Sequence, residues 1–314
     1  MTVIDSFFEG NIRSLSKIIS FVEDKQDGYQ DLLGRLYSHV GHSLRIGITG
    51  PPGAGKSTIV NGLARQFLSR GKKVGVIAVD PTSPFTGGAL LGDRVRLSDF
   101  PTDGRFFFRS MATRGATGGL AEATGNVTVV YDAFGFDITL IETVGVGQVE
   151  LDIVDACDSV VVVIVPESGD AVQTMKAGLM EIADTFCVNK ADRPGAEQLV
   201  ADLRYALRTF AKPKAHWKVP VLATEAVNGK NIPELREKIE AHIQAGQESG
   251  DFEAHRNRQL KKKILNIIKS RFQRDFLERL SSEMEFDQIV NGVLSGDTNP
   301  YQISEELYRQ FFPC

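Results

Sequence analysis

Two stretches of this chain carry side chains whose types and spacing could do chemistry. The first is Gly50-Pro51-Pro52-Gly53-Ala54-Gly55-Lys56-Ser57-Thr58, which fits G-x-x-x-x-G-K-[ST], a phosphate-binding loop. Its glycines let the backbone curl so that N–H groups point inward at a phosphate. Lys56 is placed to reach β- and γ-phosphates as a catalytic cation, and the Ser57 hydroxyl to bind Mg²⁺. A helix following the loop would add the partial positive charge of its N-terminus. The second stretch is Asn189-Lys190-Ala191-Asp192, an N-K-x-D. Guanine presents two donors side by side, and the Asp192 carboxylate offers two acceptors at matching spacing. Adenine would leave that carboxylate unpaired, and sites built on polar pairing reject such analogues strongly. Asn189 is expected to bond the far edge of the base or to brace the loop, and Lys190 to lay its stem along the base. GTP and GDP are therefore the expected ligands, with Mg²⁺.

Three acids, Asp80, Asp93 and Glu142, are candidates to join Ser57 around the metal. Mg²⁺ keeps several waters and needs only one or two carboxylates besides the phosphates. Glu142-Thr143-Val144-Gly145 stands where many GTPases have D-x-x-G, and the Gly145 N–H could sense a γ-phosphate. Gln148, just beyond, could orient water. Phe85 to Asp93 is Gly-rich and polar-ended, in the manner of a mobile switch segment. The histidines, His39, His42, His216, His242 and His255, are scattered, and none forms a metal-ligand spacing with a cysteine. No Ser–His–Asp or Cys–His arrangement is legible.

The elements that must position these groups follow from the apolar pattern. Leu44 to Thr49 reads as a strand and Ser57 to Arg70 as a helix, which is the context the phosphate loop requires. Further strands are expected at Lys73–Val79, Arg105–Arg109, Asp137–Ile141, Ser159–Val165, Thr185–Asn189 and Val219–Ala223. Helical patterns lie at Leu120–Phe134, Ala171–Ile182, Ala196–Phe210 and Ile232–Ile243. Ser159 to Val165 is nearly all valine, as suits a strand buried on both faces of a parallel sheet. The alternation predicts an α/β fold, a mostly parallel sheet with helices on both faces. Ligands of such sheets bind outside the carboxyl ends of the strands, where Asp80, Glu142 and Asn189 stand. Residues 1–43 read as an N-terminal helical cap, 44–248 as the nucleotide-binding core, and 249–314 as a C-terminal helical arm. In the arm, Leu260, Ile264, Ile268, Phe272, Phe276 and Leu280 recur every four residues, and Ser282-Glu283-Met284-Glu285 looks like a capping box that restarts a helix.

The bulk composition sets limits. A chain of 314 residues with 42% hydrophobic and 24% charged residues is of ordinary globular make-up. A net charge of −4 gives no general affinity for nucleic acid or anionic membranes. No apolar run approaches the roughly 18 residues needed to span a bilayer. The N-terminus carries Asp5 and Glu9 and no basic stretch, unlike a signal peptide. Three widely spaced cysteines, Cys157, Cys187 and Cys314, predict a reducing compartment, hence a cytoplasmic location, and no disulfide framework.

With these residues assembled, the chain resembles the MeaB/ArgK group of P-loop GTPases, the G-protein chaperones of adenosylcobalamin-dependent acyl-CoA mutases, chiefly methylmalonyl-CoA mutase. The resemblance is carried by Gly10 to Glu23, Gly50 to Thr58, Val79-Asp80-Pro81-Thr82-Ser83-Pro84, Gly92-Asp93-Arg94, Glu142 to Gln148, Asn189 to Asp192 and Asn299-Pro300-Tyr301, and so covers nearly the whole chain. It implies a SIMIBI-class fold, GTP hydrolysis, gating of cofactor loading and protection of the mutase, and a homodimer made by the C-terminal helices. It places Ser57, Asp80, Asp93 and Glu142 around Mg²⁺, and Glu225-Ala226-Val227 against guanine. The family often has Ser where Glu225 stands. Pro166 to Lys176 matches a third, partner-responsive switch, more polar here at Glu167-Ser168-Gly169-Asp170, and Lys176 matches a lysine that stabilises γ-phosphate charge. Nickel delivery by the same fold class would call for a His-rich tail or a Cys-x-x-Cys, which the sequence lacks. A kinase would not need N-K-x-D. A non-catalytic GTP-binding module is separated from a GTPase by single-turnover hydrolysis.

Overall fold

The computed structural model describes residues 2–80, 100–112, 119–143, 153–168, 178–210, 216–283 and 286–311. In chain order the strands are β1 (Leu44–Thr49), β2 (Val74–Asp80), β3 (Phe106–Ala112), β4 (Ile138–Glu142), β5 (Ser159–Ile164), β6 (Thr185–Val188) and β7 (Val221–Ala223). They form one parallel sheet in the order β3-β2-β4-β1-β5-β6-β7. The valine run fills β5, which is buried along its whole length between β1 and β6. Every crossover in a parallel sheet needs a connection across a face. Helices α1 (Val3–Phe8), α2 (Ile12–Glu23), α3 (Tyr29–Leu36), α4 (Lys56–Ser69), α5 (Gly119–Phe134), α6 (Leu179–Ile182), α7 (Ala196–Thr209) and α8 (Ile232–Ser249) accompany the sheet. Two buried clusters result. One holds Ile59, Leu63 and Phe67 of α4 with Ile239 and Ile243 of α8, and the other holds α2, α5 and α7 side chains.

The N-terminal helices are built from local signals. Thr2 and Asp5 make a reciprocal capping box at α1, and the Asn11 side chain caps α2. Leu15, Ile18, Ile19 and Val22 then recur on one face of α2 and are buried in the cluster with α5. The Asp132 carboxylate of α5 accepts the backbone N–H groups of Gly41, His42 and Ser43 at 2.7, 3.1 and 3.0 Å, which fastens the entry to β1.

Several bounds differ from the sequence reading. β3 runs on to Ala112, beyond the expected end at Arg109, because the charge that ended the apolar run is neutralised: Arg109 Nε donates to the Glu23 carboxylate of α2 at 3.0 Å. β7 begins only at Val221, after Pro220, which has no N–H to give a ladder. Only Leu179–Ile182 of the expected helix Ala171–Ile182 is described as helix, and residues 169–177 lie outside the described residues.

By its internal contacts the chain divides into two compact units, Met1–Arg256 and Asn257–Cys314. Helix α9 (Asp251–Glu283) begins in the first and runs into the second, where α10 (Phe286–Ser295) and α11 (Pro300–Phe311) follow. The helix ends where the capping-box signal stands, with residues 284–285 outside the described residues. Asn299 accepts the N–H groups of Tyr301 and Gln302 at 3.1 and 3.0 Å, so Asn299-Pro300 is a helix start with Pro at its first position. Among the described residues no helix is long and apolar enough to cross a membrane.

Candidate functional site

The phosphate loop leaves β1 after Thr49 and enters α4 at Lys56. Two of its glycines are required by space. At Gly50, φ is +138° and an added Cβ would lie 1.9 Å from the Val163 carbonyl oxygen of β5. At Gly55, φ is +89° and a Cβ would lie 2.4 Å from Asn189 Nδ2. Lys56 is buried, and its Nζ donates to the carbonyls of Gly50 at 2.8 Å and Pro51 at 3.0 Å. The ammonium is thus folded back onto the start of its own loop. Pro51 and Thr58 are half-buried, and Pro52 and Gly53 are exposed.

Ser57 Oγ donates to Glu142 Oε1 at 2.6 Å. Register explains the meeting: Glu142 ends β4 level with Ile48 of β1 and Ala78 of β2. Asp80 ends β2 across from Ala112, two residues beyond that level. The ends of β2 and β4 therefore bring Asp80 and Glu142 to the edge of the sheet where α4 begins with Lys56 and Ser57. Asp93, Gly145, Gln148 and Lys176 lie outside the described residues.

The base side is built from β6 and β7. Asn189 follows β6, and its Nδ2 donates to the Ala54 carbonyl at 2.8 Å while its Oδ1 accepts from the Ala226 N–H at 3.1 Å. Of the two roles expected for Asn189, the brace is the one these bonds make. Lys190 takes a left-handed φ of +56°, which turns the chain so that Asp192 is exposed. Glu225 is held by Lys230 Nζ at 2.5 Å; the hydrogen bond from the ammonium lowers the pKa of Glu225, and the same bond to the carboxylate raises that of Lys230. Val227 stands 88% exposed on the turn Ala226–Asn228. Sequence reading missed Thr224, whose hydroxyl donates to Asn189 Oδ1 at 3.3 Å and lies 3.0 Å from Cys187 Sγ. Its only sequence signal is that it follows a strand and precedes Glu225.

At the opposite end of the sheet, Ser159, His242 and Asp184 do come together, a grouping the sequence did not disclose. His242 Nδ1 lies 3.0 Å from Ser159 Oγ and its Nε2 lies 3.3 Å from Asp184 Oδ1. Ser159 is wholly buried, so its hydroxyl cannot reach a substrate. Among the described residues no three His, Cys, Asp or Glu side chains gather as a metal cluster.

The loop side can cradle phosphates with inward N–H groups, the α4 N-terminus and Lys56. The hydroxyl of Ser57 and the carboxylate of Glu142 are hard oxygen donors of the kind that hold Mg²⁺. The Asp192 side can read a base.

Comparison with known proteins agrees with this geometry. Residues 15–281 match the family described as Methylmalonyl Co-A mutase-associated GTPase MeaB. A Pyrococcus horikoshii protein named as a GTPase is 44% identical over 305 residues, 96% of this chain and 95% of its own. The Caenorhabditis elegans protein named methylmalonic aciduria type A homolog, mitochondrial, is 32% identical over 274 residues, 86% of this chain and 68% of its own. The crystal structure of a LAO/AO transport system kinase shares the fold, with a TM-score of 0.71 at 24% identity over 98% of this chain and 96% of that one. The chain belongs to the MeaB family of methylmalonyl-CoA mutase-associated GTPases, and it is a GTP-hydrolysing enzyme.

Proposed function

We propose that this GTPase is a chaperone that gates cofactor loading and protects an adenosylcobalamin-dependent acyl-CoA mutase, methylmalonyl-CoA mutase or a relative, and that it works as a homodimer. The family match and the C. elegans relative support the partner class. The hydrogen bond from Ser57 to Glu142 is the observation that supports a switch. One partner opens the helix of the phosphate loop, and the other ends β4 directly before the segment that carries Gly145 and Gln148. A ligand that engages Ser57 therefore alters what holds the start of that segment.

Chain residues take these roles in the reading. The loop Gly50 to Thr58 wraps the phosphates, with Lys56 on the β- and γ-oxygens. Ser57 and Glu142, with Asp80 and Asp93, would hold Mg²⁺, which when bound neutralises charge on the phosphates. Asp192 pairs with guanine, Lys190 lies along it, and Ala226 and Val227 border it. Gln148 orients the water that attacks the γ-phosphorus, with GDP as leaving group, and Lys176 supplies a cation as charge develops. GTPases that lack a charge-stabilising group hydrolyse slowly until one is supplied.

The test is GTP turnover with and without the mutase, for wild type, Lys56→Ala and Lys176→Ala. Wild type should be slow alone and faster with the mutase, Lys176→Ala slow in both, and Lys56→Ala inactive. Equal acceleration of wild type and Lys176→Ala would remove Lys176 from the mechanism. Wild type that no corrinoid mutase accelerates would overturn the partner assignment.

A further inference from the structure

We propose that Thr143 is a positioning residue for GTP hydrolysis, acting through a buried hydroxyl bond to Thr49 that sets the Glu142 carboxylate beneath Ser57. The inference rests on the reading that Ser57 and Glu142 serve the metal. The β1–β4 ladder runs from Leu44 opposite Ile138 to Ile48 opposite Glu142 and stops there. Beyond it the strands are joined by two further bonds. The Thr143 N–H donates to the Ile48 carbonyl at 3.1 Å, and Thr143 Oγ1 donates to Thr49 Oγ1 at 2.9 Å.

Both hydroxyls are buried, Thr49 at 0% and Thr143 at 4% exposure, at the ends of strands that also bury Ile46, Ile48, Leu140 and Ile141. Valine has the same shape and would carry no polar atom to bury. The pair therefore holds something that packing alone does not. Its location says what. Thr49 immediately precedes Gly50, whose carbonyl receives Lys56 Nζ. Thr143 immediately follows Glu142, whose carboxylate receives the Ser57 hydroxyl. The bond is a cross-tie one residue behind both halves of the site. It fixes the spacing of the two strand exits from which Lys56, Ser57 and Glu142 are hung. The two hydroxyls bond to each other, and the effect on Lys56, Ser57 and Glu142 passes through the backbone.

Most nucleotide affinity comes from the loop amides and the base side, which Gly50, Gly55 and Asn189 hold through contacts of their own. The rate depends on fine placement of the metal-side carboxylate, where a shift of about 1 Å can cost on the order of 10²-fold. Loss of the tie should therefore lower kcat and spare binding.

The experiment uses the full chain with Thr143→Val, Thr143→Ser, the double variant Thr49→Val/Thr143→Val, and Glu142→Gln. Steady-state GTP turnover, GDP affinity by a fluorescent analogue, the Mg²⁺ concentration for half-maximal turnover and thermal melting are measured for each. Thr143→Val should lower kcat by about tenfold or more, raise the Mg²⁺ requirement, and leave KM and GDP affinity nearly unchanged. Thr143→Ser should restore kcat, because it keeps the hydroxyl. The double variant leaves no orphaned hydroxyl, so it should melt near wild type yet remain slow. If the double variant recovers the wild-type rate, or if Thr143→Val loses GDP affinity in proportion to kcat, the proposal is overturned. If Glu142→Gln leaves the Mg²⁺ dependence intact, the underlying reading of Glu142 fails instead. A collapse in Glu142→Gln with Thr143→Val unaffected would refute the cross-tie alone.

Discussion

Asn189 Nδ2 donates to the Ala54 carbonyl at 2.8 Å, so the N-K-x-D stretch and the phosphate loop share a hydrogen bond although they lie far apart in sequence. The other end of the same amide accepts from the Ala226 N–H and the Thr224 hydroxyl. One buried side chain thus joins three loops that the fold brings to the carboxyl end of the sheet. Asn189→Ala leaves the Ala54 carbonyl and the Ala226 N–H without that partner. Each buried group so orphaned costs about 1–3 kcal/mol. The variant should melt several degrees lower without nucleotide and bind GDP more weakly, as read by thermal scanning and titration. Unchanged melting would remove the brace.

Asp192 is exposed on the turn after the left-handed Lys190, where a base could meet its two oxygens. Guanine offers adjacent donors, whereas xanthine carries an acceptor at position 2. Asp192→Asn should therefore weaken GTP binding by an order of magnitude or more and improve binding of xanthosine triphosphate. Competition titrations of the two nucleotides on one preparation give the ratio directly. Equal GTP affinity in variant and wild type would show that another residue reads the base.

The parts of this site that could be read in the sequence are those governed by local rules. Gly50 and Gly55 are legible because only glycine tolerates their backbone and the close approach of Val163 and Asn189. The valine run of β5 is legible because a doubly buried strand needs no alternation. What stayed hidden is pairing over distance. Periodicity says that a side chain faces inward, but not which partner it meets. Arg109 looked like the end of a strand until Glu23 was seen to neutralise it. Nothing in the residue types of Thr49 and Thr143 announces their bond, because β-branched residues are ordinary in and beside strands. Glu225 looked like a misfit, and its partner Lys230 is five residues away across a tight turn that no motif announces.

The second unit bears on assembly. On α9, Leu260, Ile264, Ile267 and Ile268 are 45%, 49%, 41% and 57% exposed, at spacings that put them along one side of a helix. The proposed homodimer would cover them. Sedimentation of the full chain at micromolar concentration should give a dimer, and Ile264→Glu/Ile268→Glu should give a monomer that still binds GDP. A monomeric wild type would contradict the proposal.

The root of α9 supplies a pH prediction. Asp158, whose side chain has no exposure, receives Arg45 Nη2 at 2.6 Å and Arg256 Nη2 at 2.7 Å. Arg256 also donates to the Gly41 and Ser43 carbonyls at 3.2 and 2.7 Å, and its guanidinium lies 4.4 Å from the centre of the Phe252 ring. Burial alone would raise the Asp158 pKa, but the hydrogen bonds from Arg256 and the charge and hydrogen bonds of Arg45 outweigh it and hold the carboxyl at about 2. The unfolded chain binds that proton near the ordinary value of about 4. A folded pKa below the unfolded one contributes stability that is fully present above about 4, and that is lost as pH falls through the folded value. Asp158→Asn keeps the shape and removes the charge. Its melting temperature should lie well below wild type at pH 7, and the gap should narrow as pH drops below about 4. Arg256→Ala leaves a buried carboxylate with one cation in place of two, a kind of loss worth about 3–5 kcal/mol when a buried pair is broken. Arg256→Lys should recover only part of this, because an ammonium cannot make the forked contacts to Asp158 and the two carbonyls at once. Melting curves of the four proteins between pH 3 and 7 test the set. A gap between wild type and Asp158→Asn that is the same at every pH would show that Asp158 is not the carboxylate whose protonation loosens the base of the sheet.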